Sequence, residues 1–286
     1  DSWDKWTWRV GVDHYITQEQ FLYAFIATGY RSGGFNFQKP TASPLVDVVK
    51  PEEIISYEMG YKGSLLQNRL NLAVSAYYYD YTDLQVTRAA GDGETPTLVT
   101  QNAADAEVIG LEMDFTWLAT ENLVLSGGFN ALNTEYKDYS ASAKVPCTEL
   151  GCSSAVGPGT GYGDIFYDAN GESLLRAPDL TAFISANYAF RLDDVSIPMV
   201  VSYSYTSDFK YDFVASAATR ELEQQAVGLV QARISYIPDG ANWRLSLWGS
   251  NLGDEEHYTE KVANENSLRV NYAPPRTWGV DVRYDF

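Results

Sequence analysis

The chain has 286 residues, a formal net charge of −18, and 21 Tyr and 7 Trp beside only 2 His and 3 Met. Such a charge excludes nucleic acid as a partner, because phosphate binding needs clustered Lys and Arg. No run of about 18 apolar residues occurs, which excludes a transmembrane helix but not a membrane barrel, whose alternating strands average out to middling hydropathy.

Eleven strand-like segments follow one another. The first two, over residues 5–17 and 20–36, are short of clean alternation. Over 55–65 the pattern is plain: Ile55, Tyr57, Met59, Tyr61 and Leu65 oppose Ser56, Glu58, Gly60, Lys62 and Ser64. Over 69–79, Leu70, Leu72, Val74, Ala76 and Tyr78 oppose Asn71, Ala73, Ser75 and Tyr77. Leu111, Met113, Phe115 and Trp117 then oppose Glu112, Asp114 and Thr116. Segments over 123–140, 174–190 and 197–212 follow. Val230, Ala232, Ile234 and Tyr236 oppose Gln231, Arg233 and Ser235, and Trp243, Leu245 and Leu247 oppose Arg244 and Ser246. The ending, RTWGVDVRYDF, sets Trp278, Val280, Val282, Tyr284 and Phe286 against Thr277, Gly279, Asp281, Arg283 and Asp285. A period of two makes each a strand with one apolar and one polar face. No stretch has helical periodicity with caps, so the fold class is all-β.

Connections alternate in length. ITQEQ (16–20), LQNR (66–69), ATEN (119–122), RLDDVS (191–196) and PDGAN (238–242) are short; 37–52, 91–96, 141–172, 213–221 and 263–269 are long. Short turns at one rim and long loops at the other describe an outer-membrane barrel. Aromatics of the apolar face divide by height in the same way. Trp117, Tyr188, Phe190, Tyr236, Trp243, Tyr284 and Phe286 lie toward the short turns, and Tyr78, Tyr203, Tyr205 and Trp278 toward the long loops. Aliphatic side chains fill the band between, as expected of two aromatic girdles at the edges of a bilayer. Cross-strand aromatic pairing in a soluble sheet explains some of these residues but not their separation by height. Outer-membrane lipid and lipopolysaccharide are therefore expected partners.

A complete bacterial barrel with both termini in the periplasm has an even strand count. Eleven crossings, with no signal-peptide pattern in residues 1–20, lead to the expectation that residues 1–286 are the C-terminal part of a barrel of about 22 strands, the size that holds an interior plug. Cys147 and Cys152, five residues apart in PCTELGC, fit a small loop disulfide in an oxidising compartment, with free thiols as the alternative.

Several blocks resemble TonB-dependent outer-membrane receptors: QFLYAFIATGYRSGGFN (20–36), PEEIISYEMGYKGSLLQNRLNLAVSAYYYDYTDLQV (51–86), NAADAEVIGLEMDFTW (102–117), LLRAPDLTAFISANYAF (174–190), LSLWGSNLGDEEHY (245–258) and APPRTWGVDVRYDF (273–286). They keep their order across nearly the whole chain. The resemblance implies a receptor of the bacterial outer membrane that takes up a bulky, scarce solute. It implies an N-terminal plug and further barrel strands that this chain lacks, and coupling through that missing part to the TonB–ExbB–ExbD system. It also makes Phe286 the final lipid-facing residue read by the barrel assembly machinery. A ferric siderophore leads as cargo; a carbohydrate, a cobalamin or an aromatic compound are alternatives, and a passive porin is a different class.

Candidate substrate contacts are Arg31 and the inward-parity tyrosines Tyr77, Tyr79 and Tyr81, against upper-rim packing for the latter three. Polar-face charges nearer the short turns, among them Glu58, Lys62, Glu112, Asp114, Arg233, Arg244, Asp281, Arg283 and Asp285, are expected to pair with one another or with the plug. Acidic loops GDGE (91–94), DANGE (168–172) and GDEEH (253–257) read as solvated, since DANGE lacks the ligand spacing of a calcium loop. No metal site and no cofactor are expected. An enzyme is not expected either: outer-membrane enzymes commonly need a His general base, and of the two His here His14 sits in the first strand with no Ser or Asp motif around it while His257 lies in an acidic loop.

Overall fold

A computed structural model describes residues 2–36, 47–90, 97–146, 153–154, 157–158, 162–212, 222–264 and 267–286. Eleven strands make one antiparallel sheet whose spatial order follows the chain: β1 (Arg9–Thr17), β2 (Gln20–Arg31), β3 (Glu52–Leu65), β4 (Leu70–Ala90), β5 (Thr97–Thr120), β6 (Leu123–Tyr136), β7 (Leu180–Leu192), β8 (Val195–Thr206), β9 (Val227–Pro238), β10 (Trp243–Ser250) and β11 (Thr277–Tyr284). The sheet does not close on itself: β1 and β11 are edges, with no pairing partner among the described residues. No helix among the described residues is long and apolar enough to cross a membrane, which says nothing about strands.

Every short connection expected from the sequence is a tight hairpin. Thr17 pairs with Gln20, Leu65 with Leu70, Thr120 with Leu123, Leu192 with Val195, and Trp243 follows the turn after Pro238. The LQNR turn is the most constrained. Leu66, Gln67 and Asn68 all take positive φ (53°, 57° and 63°). Asn adopts this region readily, whereas Leu66 and Gln67 each bear about 1 kcal/mol of strain there. Arg69 compensates by donating from Nε and Nη2 to the carbonyls of Leu118 and Ala119 in the adjoining turn (3.0 and 2.7 Å).

Parity along the strands holds across the sheet. Large apolar side chains on the expected apolar face stand exposed, including Met59 at 63%, Val201 at 47% and Val280 at 59%. A soluble sandwich would have buried this face; here it forms one apolar surface from β2 to β11. Register sets the heights of its aromatics. Trp117 pairs with Leu70 beside the LQNR turn, and Trp243 pairs with Tyr284 beside PDGAN. Tyr188 and Phe190 lie 6.4 Å apart and Tyr236 and Trp243 6.0 Å apart at the same rim, with Tyr284 and Phe286 at 5.1 Å. At the opposite end Tyr78 packs on Tyr57 (5.9 Å), Tyr203 and Tyr205 pair with Val230 and Gly228, and Trp278 pairs with Gly249.

Strand ends depart from the sequence reading in informative places. The segment over 174–190 begins its ladder only at Leu180: Pro178 lacks an N–H, Arg176 takes φ +58°, and Leu174 donates instead to Thr134 Oγ1 (3.0 Å). The segment over 20–36 leaves the sheet after Arg31, and its Gly34–Asn36 pairs with Asp47–Val49. Residues 209–210, read as the tail of a strand, pair with 223–224. Strands β4 and β5 run 21 and 24 residues, far beyond the 9–11 that cross a bilayer. A register shift between Tyr81 and Leu84, with Asp83 at φ +54°, marks where their extension bends away.

Glycines on the polar face let aromatic rings lie flat on neighbouring strands. Gly60 faces Tyr23 and Gly110 faces Tyr77; a β-carbon at Gly60 would stand 2.6 Å from the Tyr23 ring, and one at Gly110 would collide with the Tyr77 ring. Gly110→Val is expected to lower stability by about 1–3 kcal/mol through overpacking. Urea unfolding in detergent of the protein carrying this chain, followed by tyrosine and tryptophan fluorescence, measures it.

Candidate functional site

The polar face of β2–β6 presents a tyrosine–carboxylate wall. Tyr23 donates its hydroxyl to Glu58 Oε1 (2.7 Å). Two strands on, Tyr77 is 9% exposed and its hydroxyl donates to Asn130 Oδ1 (3.1 Å), with Glu112 Oε1 at 3.5 Å. Residue Tyr79 stacks on Tyr77 with centroids 4.7 Å apart and planes 22° apart. These rings can stack because alternate residues of one strand share a face, and because Gly110 leaves Tyr77 room to lie over β5.

The sequence-derived contacts are thus placed in two settings. Tyr77 and Tyr79 form the stacked pair of the wall. Two residues on, Tyr81 packs against a loop core of Ala106, Tyr136, Tyr139 and Ala169, together with Leu84, Val86, Leu174 and Leu175. Arg31 is exposed at the top of β2, opposite Glu52, which accepts a hydrogen bond from the Gln85 amide (2.8 Å). Arg31 shares the face of the tyrosines but sits higher, two strands from Tyr81. Cys147, Cys152 and GDGE (91–94) lie outside the described residues.

Charges nearer the turns behave differently on the two sides of the sheet. Toward β11, Arg233 pairs with Asp281 (2.5 Å), to which Trp248 Nε1 also donates (3.2 Å), and Arg283 pairs with Asp285 (2.8 Å). Toward β3–β5, Glu58 and Glu112 have no ion pair among the described residues and accept tyrosine hydroxyls instead, while Lys62 lies 5.6 Å from the Tyr23 ring centre. Lys62 and Asp114 occupy the same row with Ala73 between them, and no ion pair joins them. Of the two expected roles of these charges, mutual salt bridges are formed toward β11. Tyr23, a partner missed in the sequence, was discoverable by parity, since it pairs across from Gly60 two residues from Glu58.

Above the wall the carboxylates and amides of the loops hold backbone. Asp168 Oδ1 accepts from the Asn170 amide (3.1 Å), Asn170 Oδ1 from the Tyr139 amide (2.8 Å), and Asp254 Oδ1 from the Arg276 amide (2.9 Å). Burial pushes the Tyr136 phenol upward, and the nearby Asp212 charge adds to the rise, so it stays a neutral hydroxyl at physiological pH. His257 Nδ1 lies 3.2 Å from the Glu255 carbonyl oxygen, and His14 is exposed on the edge strand β1. No cluster of three or more His, Cys, Asp or Glu suited to a metal occurs among the described residues.

Comparison with known proteins gives this architecture its context. The ferric yersiniabactin uptake receptor FyuA of Yersinia pestis superimposes with a TM-score of 0.71 at 18% identity, over 97% of this chain and 37% of that one. The siderophore receptor PiuA of Acinetobacter baumannii superimposes with a TM-score of 0.67 at 20% identity, over 96% of this chain and 35% of that one. In sequence, this chain is 26% identical over 148 residues to PiuA, described as a probable TonB-dependent siderophore receptor; the match covers 50% of this chain and 19% of the relative. The copper transporter OprC superimposes at a TM-score of 0.63 with 16% identity, over 97% of this chain and 39% of that one. The chain thus spans well under half the length of the proteins it matches. The family of TonB dependent receptor-like β-barrels matches residues 1–252, and the chain belongs to that family.

Proposed function

We propose that the chain is the C-terminal eleven-stranded part of an outer-membrane receptor barrel that takes up a bulky solute, a ferric siderophore foremost, under TonB-dependent energy coupling. One observation carries the reading: a single apolar face spans the sheet while neither edge strand has a pairing partner among the described residues. An apolar face of this extent needs hydrocarbon against it, and unpaired edges need further strands, because exposed ladder groups are not tolerated within a bilayer. A further set of strands from the same protein, pairing with β1 and β11, meets the second need. The two aromatic tiers then act as girdles, with Trp117, Tyr188, Phe190, Tyr236, Trp243, Tyr284 and Phe286 at the periplasmic side and Tyr78, Tyr203, Tyr205 and Trp278 at the outer side.

The inner wall supports a filled barrel. Glu58, Glu112 and Asp114, lacking ion-pair partners among the described residues, suit a basic surface on a plug segment. Tyr79, backed by the buried Tyr77 stacked on it and with Arg31 above, offers a ring face and a cation to an aromatic or anionic chelate. Siderophores are the cargo named for FyuA and PiuA, and copper that named for OprC. The first two support an iron chelate here. The transport reading leaves no role for catalysis by His14 or His257.

Three outcomes test this. Val201→Arg, at the middle of β8 on the apolar face, is expected to destabilise the barrel by about 2–4 kcal/mol in lipid, measured by urea unfolding in liposomes; a change near zero would place that face in water. A strain deleted for the protein is expected to lose growth on a ferric siderophore as sole iron source. A plasmid copy is expected to restore growth, and one with Tyr77→Ala and Tyr79→Ala to bind the chelate roughly tenfold more weakly by equilibrium iron-55 binding. In planar bilayers the native protein is expected to give no steady conductance, whereas open-pore conductance would establish a passive porin.

A further inference from the structure

We infer that the described parts of the long connections on the outer rim of this wall form a single latched collar, with Tyr211 as the joint between three of them. They do not behave as independent flaps. The side-chain links run without interruption from β2 to β11. Asn36 exchanges hydrogen bonds with the backbone of Thr100 (2.6 and 3.0 Å), and Asn102 does so with Lys50 (2.6 and 2.9 Å), so Asn36 and Lys50, in the connection after β2, are tied to the extension of β4 and β5. That extension is tied onward: the Lys137 amide donates to the Asp105 carbonyl (2.8 Å) and Lys137 Nζ pairs with Glu107 (3.1 Å). Leu174 and Leu175 of the 137–179 connection pack into the core built on Tyr136 and Ala106.

The next links converge on one residue. Lys210 Nζ pairs with Glu172 (2.6 Å), the Arg176 amide donates to the Lys210 carbonyl (2.9 Å), and the Arg176 guanidinium lies 5.5 Å from the Tyr211 ring centre. The Tyr211 hydroxyl donates to the Tyr258 carbonyl (2.9 Å) and its amide to the Leu222 carbonyl (2.7 Å). Gln224 Oε1 accepts from the Tyr258 amide (3.0 Å), and Lys261 Nζ donates to the Glu223 carbonyl (2.8 Å) while lying 4.0 Å from the Tyr258 ring centre. Tyr211 is 6% exposed and Leu222 2%. Burial at an outer rim is unusual for connecting segments, which run over the surface with few apolar contacts when they move independently. Satisfied networks of this kind rigidify because their bonds form and break together. A solute touching the 172–179 segment is therefore felt at 255–261, some 80 residues away in sequence, whatever the cargo.

The test is amide hydrogen exchange by mass spectrometry on the protein carrying this chain, extracted from its native membrane without added solute. Tyr211→Ala is expected to raise exchange about tenfold in both 172–179 and 255–261, with the hairpins of β4–β6 unchanged. Tyr211→Phe keeps the ring beside Arg176 and loses only the bond to Tyr258, so a rise of about fivefold is expected at 255–261, carried through the joint to 172–179 as well. Lys210→Ala, which cuts the link to Glu172, is expected to loosen 255–261 as well. Changes confined to residues 207–212 in all three variants would overturn the inference. Should the Ala variant fail to fold, the Phe and Lys210 variants decide it alone.

Discussion

Lateral hydrogen bonding of backbone to backbone is the constraint on which everything else here rests. Each strand is satisfied only by its neighbour, in an order that never departs from the chain order, so each hairpin fixes the register of the next. Such a ladder leaves no donor or acceptor facing out of either surface of the sheet. That frees the two surfaces to take opposite solvents, and it makes the edges the one place where the wall is incomplete. The strained LQNR turn shows how much the ladder demands: two non-glycine residues, Leu66 and Gln67, accept left-handed backbone so that Leu65 meets Leu70, and Arg69 ties the result to the next turn.

Once the ladder is set, side-chain chemistry divides by parity. One surface is apolar with aromatics concentrated near its two rims. The other carries tyrosine hydroxyls against carboxylates on β2–β6 and ion pairs near β11. Bulky rings are accommodated where a glycine lies across from them, as with Tyr77 over Gly110 and Tyr23 over Gly60, so the wall stays thin enough to leave an interior. The chain belongs to a family of TonB dependent receptor-like β-barrels, and a sheet with one apolar surface, not closed on itself, is what part of such a barrel wall presents.

The outer rim follows a different logic from the wall. There the strands lengthen, bend at the Asp83 bulge and yield to short hairpins whose side-chain amides and carboxylates hold neighbouring backbone. The acidic residues Asp168 of DANGE and Asp254 of GDEEH stay exposed while their carboxylates hold turn amides, and Tyr81, which shares its parity with the stacked pair, is drawn into a core with Leu174 and Leu175. Height along a strand thus changes what the same residue type does.

The sequence by itself determined the all-β class, the eleven strands of the main sheet but not the short hairpins of the long connections, the positions of the five tight turns and the facing of residues such as Val280 and Glu58. Each of these depends only on a local period of two and on turn chemistry within a few residues. Tertiary structure alone decided where the ladder stops, because Leu180 begins β7 only after Pro178, the left-handed Arg176 and a side-chain acceptor on Thr134 have claimed the preceding backbone. It alone decided that Glu58 meets Tyr23 and that Tyr211 joins Arg176 to Tyr258. Those pairs lie 35 residues or more apart along the chain, and local periodicity carries no information about which distant side chains a shared register will bring within reach.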